Sequence, residues 1–228
     1  MSYQFRSKLD SGVIPHRISV SGNDATPSLY QAFFKRAFDV AVVLMASVPL
    51  LLTVGLLALL VRRDGGSAFY TQERVGKDGK SFRILKLRTM VTDADAVMDA
   101  YLGANPAAKA EWDHHQKLRN DPRITAVGAK LRRTSLDELP QLWNVLKGDM
   151  SLVGPRPMML DQRVLYPGTE YYAMRPGITG FWQVSDRHET GFHERANFDR
   201  DYYDQLSLST DLNVLWQTVA VVLRAKGC

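Results

Sequence analysis

The sequence is poor in cysteine: Cys228 is the only one among its 228 residues. No internal disulfide can therefore form, which excludes a disulfide-stabilised fold and fits a reducing compartment such as the cytoplasm. The first thirty residues contain no apolar run, so we expect no secretory signal peptide and interpret residues 1–28 as a flexible tail. With 228 residues, the chain is long enough to bury a substantial core.

Two familiar signatures of phosphate and metal binding are also missing. Gly79-Lys80-Ser81 resembles the end of a phosphate-binding loop, but Gly76 lies too close before it and a hairpin turn is predicted there. His114 and His115 are adjacent, so on a helix their side chains would point about 100° apart. That geometry suits a solvated helix better than a metal site. We therefore expect neither a P-loop nor a histidine-based metal centre.

The charge is unbalanced toward the basic side, with a net charge of +5 and a pI of about 9.3. Such a surplus favours a partner rich in phosphate, which leaves nucleic acid, anionic lipid and nucleotides open. A nucleic-acid-binding protein would explain the charge but not the long apolar segment described next. We therefore expect a membrane as a partner and no nucleic acid.

Residues 40–61 form a run of 22 residues without a charged side chain. As a straight helix this run would be roughly 33 Å long, enough to cross a hydrocarbon core of about 30 Å. Lys35-Arg36 precedes the run and Arg62-Arg63 follows it, so the positive-inside rule places both ends on the cytoplasmic side. Pro49 lies near the middle, with Ser47 just before it. Proline removes a backbone hydrogen bond and bends a helix, and a nearby hydroxyl can cap the freed carbonyl.

A helix that enters the membrane, breaks at Ser47 and Pro49 and returns to the same face accounts for both observations. An ordinary kinked transmembrane helix and a buried core helix are the alternatives, and the length of the uncharged run disfavours the second. We predict a re-entrant membrane anchor over residues 29–63 and a cytoplasmic domain over residues 64–228.

A β-hairpin is predicted directly after the anchor. Residues 68–75 and 81–88 have the composition of strands, and Asp78-Gly79 between them is a strong turn signal. Alternate residues of the second strand share one face, which begins apolar and ends with Lys86 and Arg88. This pattern is typical of a strand that leaves the core into an anion site, although two solvated basic residues on a half-exposed strand would give the same pattern.

The segment at residues 135–157 contains two adjacent carboxylates, Asp137 and Glu138, near the predicted start of a helix. Arg156 follows between two prolines and is expected to be a fixed cation. Ser135 and Glu138 have capping-box spacing, and the helix macrodipole would favour the ionised form of Asp137. Two interpretations follow: the acids only cap the helix, or they hold a divalent ion or attack phosphorus. The rigid Pro/Gly turns that carry Arg156 and Arg175 favour chemistry on a phosphate.

Two further helical regions are predicted. Residues 91–120 form a charged helical excursion that breaks at Asn105-Pro106, and residues 209–226 form an amphipathic helix. Trp216 on that helix would suit either a membrane interface or packing on the core. The expected fold is mixed α/β and mostly helical, with a small β-hairpin or sheet and the re-entrant membrane helix of a monotopic membrane protein.

Together these features resemble the bacterial sugar transferase family, the monotopic phosphoglycosyl transferases, over residues 35–226. The segments that carry the resemblance are Lys35-Arg-Ala-Phe-Asp39, Gln72-Glu-Arg-Val-Gly76, Lys86-Leu-Arg-Thr-Met90, Ser135-Leu-Asp-Glu-Leu-Pro-Gln-Leu142, Lys147-Gly-Asp-Met-Ser-Leu-Val-Gly-Pro-Arg-Pro157 and Arg175-Pro-Gly-Ile-Thr-Gly180. One departure concerns the break, where family members usually carry adjacent Ser-Pro and Val48 here separates Ser47 from Pro49.

The resemblance implies a reaction at the cytoplasmic face of the bacterial inner membrane that begins exopolysaccharide synthesis. A UDP-sugar, UDP-galactose or UDP-glucose, would donate a hexose 1-phosphate to undecaprenyl phosphate and release UMP. By this resemblance Asp137 is the nucleophile that carries the phosphosugar, and Glu138 helps to hold Mg²⁺. Lys86, Arg88, Arg156 and Arg175 would bind phosphate oxygens.

The alternative function is that of a non-catalytic membrane-anchored subunit of a polysaccharide assembly machine, in which Asp137 and Glu138 only cap a helix. Neither the transferred sugar nor the oligomeric state can be inferred from the sequence.

Overall fold

A computed structural model describes residues 29–115, 118–185 and 192–223 of the chain. The predicted tail, residues 1–28, and the last residues of the predicted amphipathic helix, 224–226, lie outside this described part.

The described residues are mostly helical with two small two-stranded sheets, which confirms the mixed, mainly helical fold class. The helices are α1 (Lys35–Met45), α2 (Ser47–Val61), α3 (Ala94–Ala104), α4 (Pro106–His115), α5 (Ala126–Arg133), α6 (Gln141–Lys147), α7 (Glu170–Ala173), α8 (Phe181–Val184), α9 (Arg195–Asp204) and α10 (Leu208–Leu223). The strands are β1 (Phe69–Val75), β2 (Ser81–Leu87), β3 (Ser151–Val153) and β4 (Gly177–Thr179).

The predicted anchor forms two helices, α1 and α2, which break at Ala46 and bend by 62°. In the described part of the chain no single helix is long and apolar enough to cross a bilayer, whereas this bent pair together has the length and composition. The break lies just before Ser47 and Pro49, which both fall in the first turn of α2. Proline fits there because a first-turn N–H has no partner within the helix. Ser47 does not cap α2, and the hydroxyl of Thr53 donates instead to the Pro49 carbonyl at 2.8 Å.

Helix α1 is fixed to the rest of the protein by buried charged side chains. The Lys35 ammonium lies 2.6 Å from the carboxylate of Asp211 on α10. Asp39 is 1% exposed and accepts hydrogen bonds from the Ser151 hydroxyl at 2.7 Å and the Leu152 N–H at 3.1 Å. Because a buried charge is costly unless it is paired and hydrogen-bonded, these contacts fix the position of α1 relative to β3 and α10.

Helix α2 differs in that most of its apolar surface is exposed. Leu51, Leu52 and Leu59 are 67–71% exposed, and the helix has no polar face. Its last turns pack on other described residues, where Val61 forms a small core with Leu87 and Leu131. Both ends of the bent pair are therefore attached to the same body.

Strands β1 and β2 form the predicted antiparallel hairpin, in register from Phe69 opposite Leu87 to Val75 opposite Ser81. Asp78 and Gly79 have φ values of 57° and 73°, the left-handed conformation that tight hairpin turns require. The hairpin directs Lys86 toward the segment that follows α5.

Strands β3 and β4 pair in parallel, with Ser151 opposite Gly177 and Val153 opposite Thr179. The backbone of β4 and the backbone just after β3 approach each other very closely, since a Cβ on Gly177 would lie 2.1 Å from the Gly154 nitrogen. The main core surrounds this sheet and combines Val153 with residues of α1, α6, α9 and α10. Because parallel strands end on the same side, the residues after Val153 and after Thr179 lie next to each other.

Candidate active site

The two adjacent carboxylates lie in a short 3-10 turn, Leu136–Glu138, and not in the first turn of an α-helix as the sequence predicted. Helix α6 begins only at Gln141, since Pro140 has no N–H to donate and stands at its N-cap. Ser135 adopts a left-handed conformation with φ of 55° and forms no side-chain cap. The predicted capping box is therefore wrong, and the interpretation of Asp137 and Glu138 as simple caps loses its basis.

Asp137 is buried, with 8% of its surface exposed. Burial raises the pKa of its carboxyl group, and the neighbouring negative charge of Glu138 raises it further, while Lys86 and Arg132 oppose the rise. The direction is opposite to the effect predicted from the helix macrodipole, because burial and the charge of Glu138 outweigh the interactions that lower the pKa of Asp137. When ionised, this carboxylate therefore has little contact with water.

Glu138 accepts a hydrogen bond from the Lys86 ammonium at 2.7 Å, and each side chain is about one-fifth exposed. Strand β2 and the 3-10 turn thus contribute one cation and two carboxylates to the same place. The partner of Lys86 in the structure is a carboxylate of the protein, and its assignment to substrate phosphate stays a prediction.

Arg156 and Trp182 meet because each follows one strand of the parallel pair by three residues. The Arg156 guanidinium lies 5.6 Å from the centre of the Trp182 ring. Arg195, the first residue of α9, stacks on the same indole at 4.1 Å. Trp182 therefore contacts two guanidinium groups.

Arg74, on β1, lies near these two arginines. The last residue of β1, Val75, donates a backbone hydrogen bond of 3.0 Å to the Met158 carbonyl. Burial lowers the pKa of Arg74, and the positive charge of Arg156 contributes. The same two causes, with a further contribution from Arg74, lower the pKa of Arg195 to about 10. We call Arg74, Arg156 and Arg195 the arginine group.

One open cleft, with a cavity volume of about 180 Å³, connects the two sets of residues. The cleft is lined by Arg74, Ile84, Lys86, Glu138, Gln141, Arg156, Pro157, Met159, Gln162, Gly177, Ile178 and Arg195. Of the residues predicted from sequence, the structure thus brings together Lys86, Glu138 and Arg156, with Asp137 adjacent to Glu138.

Two predicted phosphate ligands do not line this cleft. The Arg88 guanidinium is bonded to both carboxylate oxygens of Asp64 and donates to the carbonyls of Ser67, Met90 and Val61. Arg175 donates through Nε to the Gly148 carbonyl at 2.9 Å. In the structure these arginines hold backbone segments in place.

Sequence reasoning did not assign Arg74, Arg132, Gln141, Trp182 or Arg195 to the site. Arg74 lies within Gln72-Glu-Arg-Val-Gly76, one of the segments that carry the family resemblance, so the sequence could have pointed to it. No such segment contains Arg195 or Trp182. They meet only through the packing of α8 against α9.

The residues present fit a magnesium ion. Within residues 29–115, 118–185 and 192–223, no group of three or more His, Cys, Asp or Glu side chains is placed to hold a metal. Asp137 and Glu138 can supply two carboxylates, and Mg²⁺ is usually held by one or two carboxylates together with waters and substrate phosphates. The acid pair therefore suits an ion that binds with a phosphate-bearing substrate.

Comparison with known proteins gives a family match. A family model described as bacterial sugar transferase matches residues 30–225. The chain is 46% identical over 212 residues to the UDP-galactose-lipid carrier transferase of Erwinia amylovora, covering 92% of this chain and 44% of that protein. It is 48% identical over 200 residues to the undecaprenyl-phosphate galactose phosphotransferase of Salmonella typhimurium, covering 86% of this chain and 41% of that protein.

A shorter relative is matched over most of its length. The exopolysaccharide production protein ExoY of Rhizobium meliloti is 44% identical over 198 residues, which cover 85% of this chain and 87% of ExoY. The chain thus spans less than half the length of the Erwinia and Salmonella relatives.

Proposed function

The chain belongs to the bacterial sugar transferase family, and on that footing we propose that it transfers a hexose 1-phosphate from a UDP-sugar to undecaprenyl phosphate at the start of exopolysaccharide synthesis. The observation that carries the proposal is the cleft that ion-paired Glu138 and Arg156 line together, with buried Asp137 next to Glu138 in the chain. The names of the Erwinia and Salmonella relatives favour UDP-galactose as the donor, with UDP-glucose as the second candidate.

The proposed reaction has two displacements at the phosphorus that bears the sugar. In the first, a carboxylate oxygen of Asp137 attacks this phosphorus and its bond to the bridging oxygen breaks, so that UMP leaves. In the second, a phosphate oxygen of undecaprenyl phosphate attacks the same phosphorus, and the bond to Asp137 breaks. The carboxylate is regenerated and the product is a diphosphate-linked lipid. Covalent relay of this kind divides one difficult transfer into two easier ones.

The remaining residues act by position and charge, which are the main requirements of phosphoryl transfer. Lys86 and Arg156 line the cleft and can neutralise phosphate oxygens. Glu138 would help to hold Mg²⁺. When bound, the ion neutralises charge on the pyrophosphate.

The anchor is proposed to be re-entrant, with both of its ends on the cytoplasmic face of the inner membrane. Three observations support this: the 62° bend, the exposed apolar surface of α2, and the attachment of both ends to one body through Lys35 and Val61. Such an anchor would hold the cleft at the interface where a soluble nucleotide and a lipid phosphate meet.

The reaction is tested with the detergent-solubilised full chain, UDP-galactose and Mg²⁺ in the absence of lipid acceptor. We expect stoichiometric release of UMP and a peptide containing Asp137 whose mass increases by one phosphohexose. Addition of undecaprenyl phosphate should discharge this adduct and start turnover. Failure to release UMP from either UDP-galactose or UDP-glucose would favour the non-catalytic subunit.

The topology is tested with accessibility tags at residue 20 and at residue 228. Re-entry predicts that both tags are cytoplasmic. A periplasmic tag at residue 20 would mean a full span.

A further inference from the structure

The guanidinium groups of the arginine group lie close enough for the charge of Arg156 to lower the pKa of both Arg74 and Arg195. Within the part of the chain that the structure describes, neither Arg74, Arg156 nor Arg195 forms an ion pair. Asp199 stands one turn from Arg195 on α9 and compensates part of its charge without forming an ion pair, and its carboxylate accepts a hydrogen bond from the Tyr166 hydroxyl at 2.6 Å. Like charges crowded together in a partly buried site destabilise each other, so this arrangement favours an anionic ligand.

Two buried N–H donors at the same cleft also have no partner among the described residues. These are Nε2 of Gln141, a residue 2% exposed, and Nε of Arg195. A buried donor without an acceptor is costly, and native proteins usually satisfy such groups with a ligand or water. Both residues line the cleft, so an oxygen-rich ligand there would satisfy them.

Trp182 explains how two of the guanidinium groups can stay close together without an ion pair to a carboxylate. Arg195 stacks on the indole at 4.1 Å, and Arg156 lies 5.6 Å from the ring centre. Stacking on an aromatic face stabilises a guanidinium and leaves its edge free to donate hydrogen bonds. Arg195 also contacts the ring of Phe192 at 4.9 Å, so its side chain is held in place before any ligand binds.

We infer that Arg74, Arg195 and Gln141 form, with Arg156, a clamp for the phosphate that does not react, the phosphate that leaves within UMP. The inference rests on the proposed function and deepens it. The acid pair and Lys86 then serve the phosphorus that bears the sugar, and the clamp determines how tightly the nucleotide diphosphate binds. Arg74 and Arg195 are thereby binding residues that the sequence analysis did not assign.

The test is calorimetric titration of the full chain in detergent with UDP, and separately with uridine. We expect Arg74→Gln and Arg195→Gln each to weaken UDP binding at least about tenfold and to leave uridine binding unchanged, because each removes a charged donor to phosphate. In turnover assays, KM for the UDP-sugar should rise by a similar factor while kcat changes less than about threefold.

The matched control is Arg200→Gln on the same helix, since Arg200 is half-exposed and pairs with Glu170 at 3.4 Å. It should bind UDP like the wild type. Arg195→Lys keeps the charge but not the Nε donor or the planar stack, so it should fall between the wild type and Arg195→Gln. Thermal melting of each variant checks folding, and Arg74→Gln provides an independent test if Arg195→Gln is unstable.

The two proposals fail in different ways. A wild type that releases UMP, with Arg74 and Arg195 variants that bind UDP as tightly as it does, would overturn the clamp alone. A wild type that binds UDP through these arginines but never releases UMP would overturn the transferase and leave the clamp standing.

Discussion

The acid pair and the arginine group contribute to one cleft but are built in different ways. Asp137 and Glu138 are neighbours in the chain, and Lys86 compensates part of their charge within hydrogen-bonding distance. The arginines come from β1, from the turn after β3 and from the start of α9, and no carboxylate of the described residues pairs with them. The difference fits the proposed function, in which the acid pair acts on the sugar-bearing phosphorus and the arginine group holds the other phosphate.

If the acid pair and the arginine group have these separate roles, substitutions in the two sets should change different kinetic constants. Groups that act only on the reacting phosphorus should change kcat, and groups that hold the remote phosphate should change KM. The following predictions test whether the two sets of residues can be separated in this way.

The largest effect is expected for Asp137→Asn. An amide cannot form the covalent intermediate, so turnover with a UDP-sugar and undecaprenyl phosphate should fall at least about 10³-fold. UDP binding should stay within about threefold of the wild type, because the arginine group is unchanged. Activity within tenfold of the wild type would show that Asp137 is not the nucleophile.

Lys86→Met is expected to have the next largest effect. Lys86 favours the ionised form of Asp137 and compensates Glu138, so its loss should lower kcat about 10²-fold near neutral pH. The pH below which activity is lost should also move upward, since the pKa of Asp137 rises further without this cation. The pH profile of kcat measures both effects.

The control for Lys86→Met is Lys147→Met, which removes a half-exposed lysine paired with Asp149 at 2.9 Å. Its pH profile should match that of the wild type. An unshifted profile in Lys86→Met would mean that Lys86 acts on the substrate alone.

The sequence revealed the acid pair and missed most of the arginine group for a physical reason. Adjacent carboxylates and a local turn signal can be recognised in a short window, as can the β-hairpin around Asp78-Gly79. Arg195 reaches the cleft only because α9 packs on α8 and places its guanidinium on Trp182. Such long-range packing leaves no periodic pattern in the sequence.

Two errors of the sequence analysis have local causes. Pro140 delays α6 and leaves Asp137 outside the α-helix, while burial and the charge of Glu138 shift its pKa opposite to the expected direction. The parallel pair of β3 and β4 was not predicted, since three-residue strands are too short to show alternation. The β3–β4 sheet places Arg156, which follows β3, beside the end of β4.

A smaller effect concerns the stability of Asp137→Asn. The folded protein holds the pKa of Asp137 above its unfolded value, so the contribution of Asp137 to stability is full at acidic pH and is lost as the pH rises through the folded pKa. The asparagine variant should therefore melt above the wild type at pH 8, and the gap should close toward pH 4. Asp113→Asn, on an exposed ion pair with Lys109, should show no such trend.

The smallest effect on the reaction is expected for Arg88→Ala, although Arg88 is one of the arginines that the sequence assigned to phosphate. Its guanidinium is already bonded to Asp64 and to three backbone carbonyls around the end of α2. KM for the UDP-sugar should therefore stay within about twofold, while the free energy of unfolding falls by about 1–2 kcal/mol. Arg83→Ala, an exposed position on the same strand, should change stability by less than about 0.5 kcal/mol. A tenfold rise in KM for Arg88→Ala without loss of stability would return Arg88 to the phosphate ligands and extend the arginine group toward the membrane anchor.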